Sequence, residues 1–172
     1  MKKLILGCGY LGRRVAQAWL DGGDEVLALT RSAERAASLQ AAGIRPIVGD
    51  VTSSLDLRDC DDLDTILFAV GFDRTAGKAI RDVYVDGLRR AIDQLPMLPR
   101  RFIYISSTGV FAQNDGKWVN EQSLCEPTRE GGKACLAAED LLRQHAMGSH
   151  AIILRLAGIY GPDRLPKLRD VI

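Results

Sequence analysis

The sequence lacks the features that mark several classes of protein. No apolar run approaches the roughly 18 residues of a membrane-spanning helix. The start of the chain, Met1–Gly7, has only three apolar residues behind two lysines, which is too few for a signal peptide. A formal net charge of +1 gives no electrostatic reason to expect nucleic acid or an anionic membrane as partner. We therefore expect a cytoplasmic protein with neither of those partners.

Metal-binding and disulfide patterns are also absent. The chain has four cysteines, none of them in a C-x-x-C pair, and only two histidines. Zinc sites need clustered ligands of these types, so we predict no metal site. A disulfide framework is not expected in a cytosolic chain of this size, and we expect scattered free thiols.

What the sequence does contain is an alternation of short apolar runs and amphipathic stretches. With 172 residues, 47% of them hydrophobic, the length suits one domain. The predicted strands are Leu4–Leu6, Val26–Thr30, Arg45–Val48, Thr65–Val70, Phe102–Ile105 and Ala151–Leu154. The first predicted helix has Leu11, Val15, Ala18 and Trp19 on one face and ends at Gly22-Gly23. The second is capped by Ser32, runs to Ala42 and ends at Gly43, and the others are Lys78–Leu95 and Lys133–His145. This alternation predicts an α/β fold, a doubly wound parallel sheet of six or more strands with helices on both faces.

The first strand runs into a glycine pattern, G-x-G-x-x-G, formed by Gly7, Gly9 and Gly12. The first glycine permits a tight turn, the second lets a pyrophosphate approach the backbone, and the third lets the helix pack close to the sheet. The helix start then offers free N–H groups to the phosphate charge. Because the pattern lies between a strand and a helix, it predicts dinucleotide binding.

The end of the second strand bears on which dinucleotide is bound. An NAD-selective site places a carboxylate there to bind the adenosine ribose. This chain has Arg31 and Ser32 instead, and its next carboxylate is Glu34. An arginine pairs well with a 2′-phosphate, and a serine can donate a hydrogen bond to it. We therefore predict NADP as the cofactor, with NAD as the alternative.

Several motifs in order resemble the extended branch of the short-chain dehydrogenase/reductase superfamily, the NAD-dependent epimerase/dehydratase family. Besides the glycine pattern, the matching segments are Gly49-Asp50-Val51, Phe68-Ala69-Val70-Gly71, Ile105–Phe111 and Arg155–Pro162. The resemblance implies a Rossmann fold. It also implies a wider set of cofactor-binding residues, namely Tyr10, Leu11, Asp50, Val51, Phe68, Ala69, Val70 and Lys133.

The resemblance also implies a catalytic set, and here the chain departs from the family. In the family, a serine orients the substrate carbonyl, and a tyrosine and a lysine in Y-x-x-x-K transfer a proton and hold the nicotinamide ribose. The serine corresponds to Ser107 and the lysine to Lys133, but Arg129 stands where the tyrosine is expected. An arginine stays protonated and cannot exchange a proton near neutral pH. Arg129 is thus a candidate to stabilise an oxyanion or to bind an anionic substrate.

The family builds its substrate-binding part largely from residues after the Y-G-P motif. We therefore expect an NAD(P)-binding Rossmann domain over residues 1–162, with residues 163–172 as the start of a missing or truncated substrate-binding segment. The leading hypothesis is an NADP-dependent oxidoreductase or epimerase with an altered active site, acting on an unidentified small molecule. The alternative is a dinucleotide-binding sensor or scaffold without chemistry. A homo-oligomer is a further candidate, but the sequence does not determine the oligomeric state.

Overall fold

The computed structural model describes residues 1–53, 55–58, 60–113 and 115–165. Its strands are β1 (Lys2–Leu6), β2 (Glu25–Thr30), β3 (Arg45–Val48), β4 (Leu63–Phe68), β5 (Arg101–Ser107) and β6 (Ala151–Leu156). They form a sheet in the order β3-β2-β1-β4-β5-β6, with every neighbouring pair parallel. The predicted doubly wound α/β fold is confirmed.

In the described part of the chain, four α-helices lie between these strands. They are α1 (Tyr10–Asp21), α2 (Ala33–Ala41), α3 (Gly87–Asp93) and α4 (Glu130–Gln144). A π-helical turn, Asp82–Asp86, leads directly into α3, and short 3-10 turns follow β5 and α4. Strand and helix therefore alternate along the chain except between β3 and β4, where no helix is found among the described residues of the connection. A helix is the usual crossover between parallel strands.

Three of the helix ends follow signals that are visible in the sequence. Ser32 caps α2, its Oγ accepting a hydrogen bond of 3.2 Å from the Arg35 backbone N–H. Gly23 and Gly43, which follow α1 and α2, both have φ of +78°, a conformation that glycine adopts without steric cost. The predicted stop at Gly22-Gly23 and the predicted cap at Ser32 are both present.

Other boundaries differ from the prediction by a few residues. The strand predicted over Thr65–Val70 lies at Leu63–Phe68, which leaves Ala69 and Val70 beyond its carboxyl end. The helix predicted over Lys78–Leu95 is shorter, and α4 begins three residues before Lys133. Apolar periodicity locates the middle of an element well, but its end depends on capping and on contacts that the pattern does not contain.

The alternation of side chains along β1 shows how the core is divided. Leu4 and Leu6 point to one face of the sheet and pack with residues of α3 and α4, such as Leu88 and Leu142. Ile5 points to the other face and packs with Ala16 of α1 and with residues of α2. All three β1 residues are fully buried. Burial on both faces explains why the strands are almost continuously apolar.

Three further findings concern the described residues alone. None of their helices has the length and apolar character needed to cross a membrane. No group of three or more His, Cys, Asp or Glu side chains among them could hold a metal ion. All four cysteines fall within the described part, and each is a free thiol.

Candidate functional site

A cleft of about 860 Å³ lies at the carboxyl ends of the strands. Its walls come from the ends of β1, β2, β4, β5 and β6 and from the connections that follow them. The strand order reverses between β1 and β4, because β1 is followed on one side by β2 and β3 and on the other by β4 to β6. In open α/β sheets, a crevice at such a reversal is the usual place for a bound ligand.

The three glycines of the first loop have three different surroundings. Gly7 has φ of +98°, and a Cβ there would lie 2.5 Å from the Ala69 backbone, so this glycine is required by the fold. A Cβ on Gly12 would lie 2.5 Å from the Gly7 carbonyl oxygen, because α1 packs closely against the loop. A Cβ on Gly9 would meet no atom within 4 Å. The loop thus leaves open space at the residue where a pyrophosphate needs to approach.

The start of α1 is suited to an anion. Gly9 is the N-cap residue, no side chain caps the helix, and its first turn has no acidic residue. Tyr10 and Leu11 also line the cleft at this point. Uncapped N–H groups and the helix dipole together favour a phosphate here. The loop therefore fits the pyrophosphate of a dinucleotide on geometric grounds.

Tyr10 ties this loop to the far end of the described chain. Its hydroxyl donates a hydrogen bond of 3.0 Å to the Pro162 carbonyl oxygen, which also accepts one of 3.1 Å from Arg14 Nη2. The Arg164 guanidinium lies 5.2 Å from the Tyr10 ring centre, and Arg164 lines the cleft. The sequence analysis did not identify Arg164, because no local pattern indicates that residue 164 returns to the first loop.

Arginines also line the cleft beyond the end of β2. Arg31 lies on the wall and forms an ion pair with Asp73 at 3.1 Å, and its predicted contact with a 2′-phosphate stays a prediction. Arg35, one turn into α2, lines the cleft as well. Ser32 caps α2 and lies outside the lining, so its predicted contact with the cofactor stays a prediction. No motif in the sequence indicates Arg35 or Asp73 as residues of the cleft.

The remaining predicted cofactor residues fall into two groups. Asp50 and Val51 line the cleft, with Asp50 Oδ1 accepting hydrogen bonds of 2.7 and 2.9 Å from the Thr52 backbone N–H and hydroxyl. Ala69 and Val70 line it too, since they follow the end of β4. Phe68 is different, because its side chain is only 1% exposed and packs in the core.

Ser106 and Ser107, at the end of β5, both line the cleft. Ser107 Oγ accepts a hydrogen bond of 3.0 Å from the Gly109 N–H and caps the following 3-10 turn. Ser106 Oγ donates one of 2.6 Å to Glu139 Oε1. The predicted residue Ser107 is therefore placed at the cleft, where its hydroxyl hydrogen has no partner of its own among the described residues.

The structure does not bring Lys133 and Arg129 to the lining of the cleft. Lys133 is 56% exposed, and its Nζ pairs with Glu130 at 3.3 Å. Arg129 is the exposed N-cap residue of α4, and its side chain makes no capping hydrogen bond. The α4 residue that lines the cleft is Cys135, and burial raises the pKa of its thiol. One turn before Cys135, the residue on the same face of α4 is Gly131 and not Arg129.

Tyr84, which no motif in the sequence indicates, lines the cleft near Cys135. Tyr84 lies on the π-helical turn, and burial raises the pKa of its hydroxyl, with the nearby Cys135 adding to the rise. Tyr104 is only 2% exposed in the core, and Tyr160 is 77% exposed. Tyr84 therefore lines the cleft, as Tyr10 does, whereas Tyr104 and Tyr160 lie outside the lining.

A buried ionic network lies behind the serines. Glu139 is fully buried and accepts two hydrogen bonds from Arg155, at 3.0 and 2.7 Å, and one of 2.7 Å from Arg143. Burial acts to raise the pKa of Glu139, but the hydrogen bonds from Arg155, Ser106 and Arg143 outweigh it and hold that pKa below its ordinary value. This carboxylate joins α4 to the carboxyl ends of β5 and β6 and so fixes the wall that carries Ser106.

Comparisons with known proteins agree with this geometry. Residues 7–164 match a family model described as NAD(P)H-binding. The curated protein YeeZ from Escherichia coli strain K12 is 29% identical, over 96% of this chain and 62% of YeeZ. A solved structure from Methylobacillus flagellatus, assigned as a candidate NAD-dependent epimerase/dehydratase, is 33% identical with a TM-score of 0.76, over 98% of this chain and 58% of that one.

A second solved structure shows the fold at lower identity. The UDP-glucuronic acid 4-epimerase from Bacillus cereus, in complex with UDP-glucuronic acid and NAD, has a TM-score of 0.79 at 23% identity, over 98% of this chain and 60% of that one. The present chain thus spans about 60% of the length of the relatives it matches. It belongs to the NAD(P)H-binding family and has the Rossmann fold of the NAD-dependent epimerases and dehydratases of the short-chain dehydrogenase/reductase superfamily.

Proposed function

We propose that this chain is the NADP(H)-binding part of an oxidoreductase or epimerase whose active site departs from the usual tyrosine–lysine pair. The observation that carries the proposal is the pairing of two features in one cleft. The glycine loop leaves room for a pyrophosphate at Gly9, and two arginines, Arg31 and Arg35, line the wall beyond the end of β2.

The two arginines support the choice of NADP(H). A Rossmann site holds the adenosine ribose beside the end of the second strand, so a 2′-phosphate is directed towards this wall. Arg35 has no ion-pair partner among the described residues, which leaves its guanidinium available to an anion. Arginine binds phosphate through paired, charge-assisted hydrogen bonds, which are the stronger class of hydrogen bond in proteins.

The first prediction is that NADPH binds at least tenfold more tightly than NADH, a difference of about 1.4 kcal/mol. In Arg31→Ala this preference is expected to fall markedly, because the charge-assisted contact is lost. Isothermal titration calorimetry with both cofactors measures it. Arg45→Ala is the matched control, since Arg45 lies at the amino end of β3, away from the cleft. Equal affinities in the wild type, or a preference that survives Arg31→Ala, would contradict the assignment.

The other end of the cleft supports the altered active site. A bound nicotinamide would supply hydride transfer. The chain itself offers the hydroxyls of Ser107 and Tyr84 to orient a substrate oxygen, and a thiol, Cys135, on the cleft-facing side of α4. The raised pKa of the Tyr84 phenol keeps it protonated at neutral pH, so it acts there as a hydrogen-bond donor and not as a base.

The second prediction is that the chain does not oxidise NADPH with generic carbonyl substrates of short-chain dehydrogenases. Arg129→Tyr is expected to leave this unchanged, because residue 129 lies outside the lining of the cleft. The assay follows NADPH absorbance in the wild type, in Arg129→Tyr and in Tyr84→Phe. Robust turnover that Tyr84→Phe abolishes would show that Tyr84 performs the proton transfer and that the site is a working reductase.

The same assay addresses the second candidate function, a dinucleotide-binding sensor or scaffold without chemistry. The observation that favours it is the placement of Lys133, which pairs with Glu130 on the outer side of α4. Tight NADPH binding with no turnover, in this chain and in any longer form that includes it, supports the sensor or scaffold. Turnover in the longer form alone supports an enzyme whose substrate wall lies in the added residues.

A further inference from the structure

A carboxylate from a distant part of the chain lies beside Arg31. Asp73 follows β4, and its Oδ2 lies 3.1 Å from Arg31 Nη2, although 42 residues separate the two in sequence. Both side chains line the cleft and both are partly exposed, 53% for Arg31 and 40% for Asp73. The tertiary structure therefore supplies an acidic group where the end of β2 itself has none.

The orientation of Asp73 is set by its own loop. Its Oδ1 accepts hydrogen bonds of 3.0 Å from the Thr75 backbone N–H and 2.6 Å from the Thr75 hydroxyl. The bonds from Thr75, followed by that from Arg31, lower the pKa of the Asp73 carboxyl. The carboxylate is thus ionised at neutral pH and faces the guanidinium with its other oxygen.

This arrangement acts in opposite directions on the two cofactors. A 2′-phosphate that binds Arg31 has to displace or share a carboxylate of the same charge sign, and the two anions repel each other. A free 2′-hydroxyl carries no charge and donates a hydrogen bond to a carboxylate, which is how NAD-selective sites use an acidic residue. The Arg31–Asp73 ion pair therefore weakens the binding of NADP(H) and is compatible with the binding of NAD(H).

We propose that Asp73 is a cofactor-selecting residue, which competes with the 2′-phosphate of NADP(H) for Arg31 and so narrows the preference for NADP(H) over NAD(H). The proposal rests on the proposed function, because it assumes that the 2′-phosphate binds at Arg31. Asp50, the other carboxylate on this part of the wall, has one oxygen held by Thr52 and makes no ion pair with Arg31.

The test is Asp73→Asn, in which the amide oxygen can still accept the hydrogen bonds from Thr75. The affinity for NADPH and for 2′,5′-ADP is expected to rise about two- to fivefold, the range for a partly exposed ion pair, while the affinity for NADH and 5′-AMP stays equal or falls. Calorimetry at low ionic strength measures all four ligands, since salt screens the effect. Asp56→Asn is the matched control, because it removes the same charge from an exposed pair with Arg58 outside this cleft.

A double variant tests whether Asp73 changes the NADPH affinity through Arg31. In the Arg31→Ala background, Asp73→Asn is expected to change the NADPH affinity by less than about twofold, since the guanidinium that Asp73 pairs with is absent. A gain in NADPH affinity of the same size in the Arg31→Ala background would contradict the proposed competition for Arg31. Unchanged selectivity in Asp73→Asn, with a wild type that prefers NADPH, overturns this inference and leaves the proposed function standing. A wild type that binds neither NADPH nor 2′,5′-ADP overturns both.

Discussion

Glu139→Ala is expected to lower the free energy of unfolding by about 3–5 kcal/mol, the cost of removing one partner from a buried ion pair. Glu139 is fully buried, and Arg155, which it binds through two hydrogen bonds, is only 13% exposed. Without the carboxylate, the Arg155 guanidinium stays largely buried with no counter-charge. Thermal or urea unfolding followed by circular dichroism measures the loss, which corresponds to a fall in Tm of at least roughly 6 °C for a domain of this size.

Asp140→Ala is the matched control on the same helix. Asp140 pairs with Arg143 at 2.8 Å, but its side chain is 52% exposed. Exposed ion pairs contribute about 0–1 kcal/mol, so this variant is expected to remain near the wild type. An equal loss of unfolding free energy in Glu139→Ala and Asp140→Ala would show that the Glu139 network does not hold the end of β6 against α4.

The pH dependence of stability follows from the same carboxylate. The pKa of Glu139 is lower in the folded protein than in an unfolded chain, so its contribution is present at neutral pH and is lost as the pH falls through the folded-state value. We therefore expect the difference in Tm between the wild type and Glu139→Ala to narrow as the pH is lowered to about 3. A constant difference over that range would contradict a charged Glu139 in the folded state.

Gly9→Val is expected to weaken the binding of NADPH at least tenfold, about 1.4 kcal/mol, while the protein stays folded. A Cβ at this residue meets no protein atom within 4 Å, so the branched side chain extends into the cleft beside the start of α1. It would then occupy the space that a pyrophosphate needs to reach the free N–H groups. Calorimetry gives the affinity, and circular dichroism confirms the fold.

Gly7→Ala provides the contrast in the same loop. Its φ of +98° and the distance of 2.5 Å from an added Cβ to the Ala69 backbone predict a loss of stability and not a selective loss of binding. Gly7→Ala is thus expected to lower stability, because it disturbs the turn, and Gly9→Val to lower NADPH affinity, because it fills the cleft. Unchanged NADPH affinity in folded Gly9→Val would show that the pyrophosphate does not bind at this loop.

Much of the fold could be predicted because it rests on local patterns. The apolar run Leu4–Leu6 and the segment Arg45–Val48 both lie in strands, and Ser32 and Gly43 mark the two ends of α2. Apolar periodicity, capping and positive φ are properties of a few neighbouring residues, so they can be read without knowledge of the fold. The glycine loop belongs to the same class of signal, since its strand and its helix are adjacent in sequence.

The candidate site could be predicted only in part. Arg31 and Ser107 lie on the cleft where the sequence placed them, but Arg35, Asp73 and Arg164 carry no local signal. The side of α4 that faces the cleft was also not predicted. Lys133 and Cys135 are two residues apart and lie on different sides of this helix, and only Cys135 lines the cleft. Without the packed sheet, the motif alone does not show which of them faces the cleft.

The sequence by itself determined the order of the elements, the parallel sheet and the glycine loop between β1 and α1. Only the tertiary structure decided which charged and hydroxyl-bearing side chains come together around the cleft. It pairs Arg31 with Asp73 over 42 residues, Tyr10 with Pro162 over 152, and Ser106 with Glu139 over 33. The physical reason is that a strand or a helix is set by short-range periodicity, whereas each of these contacts forms only after distant segments pack together.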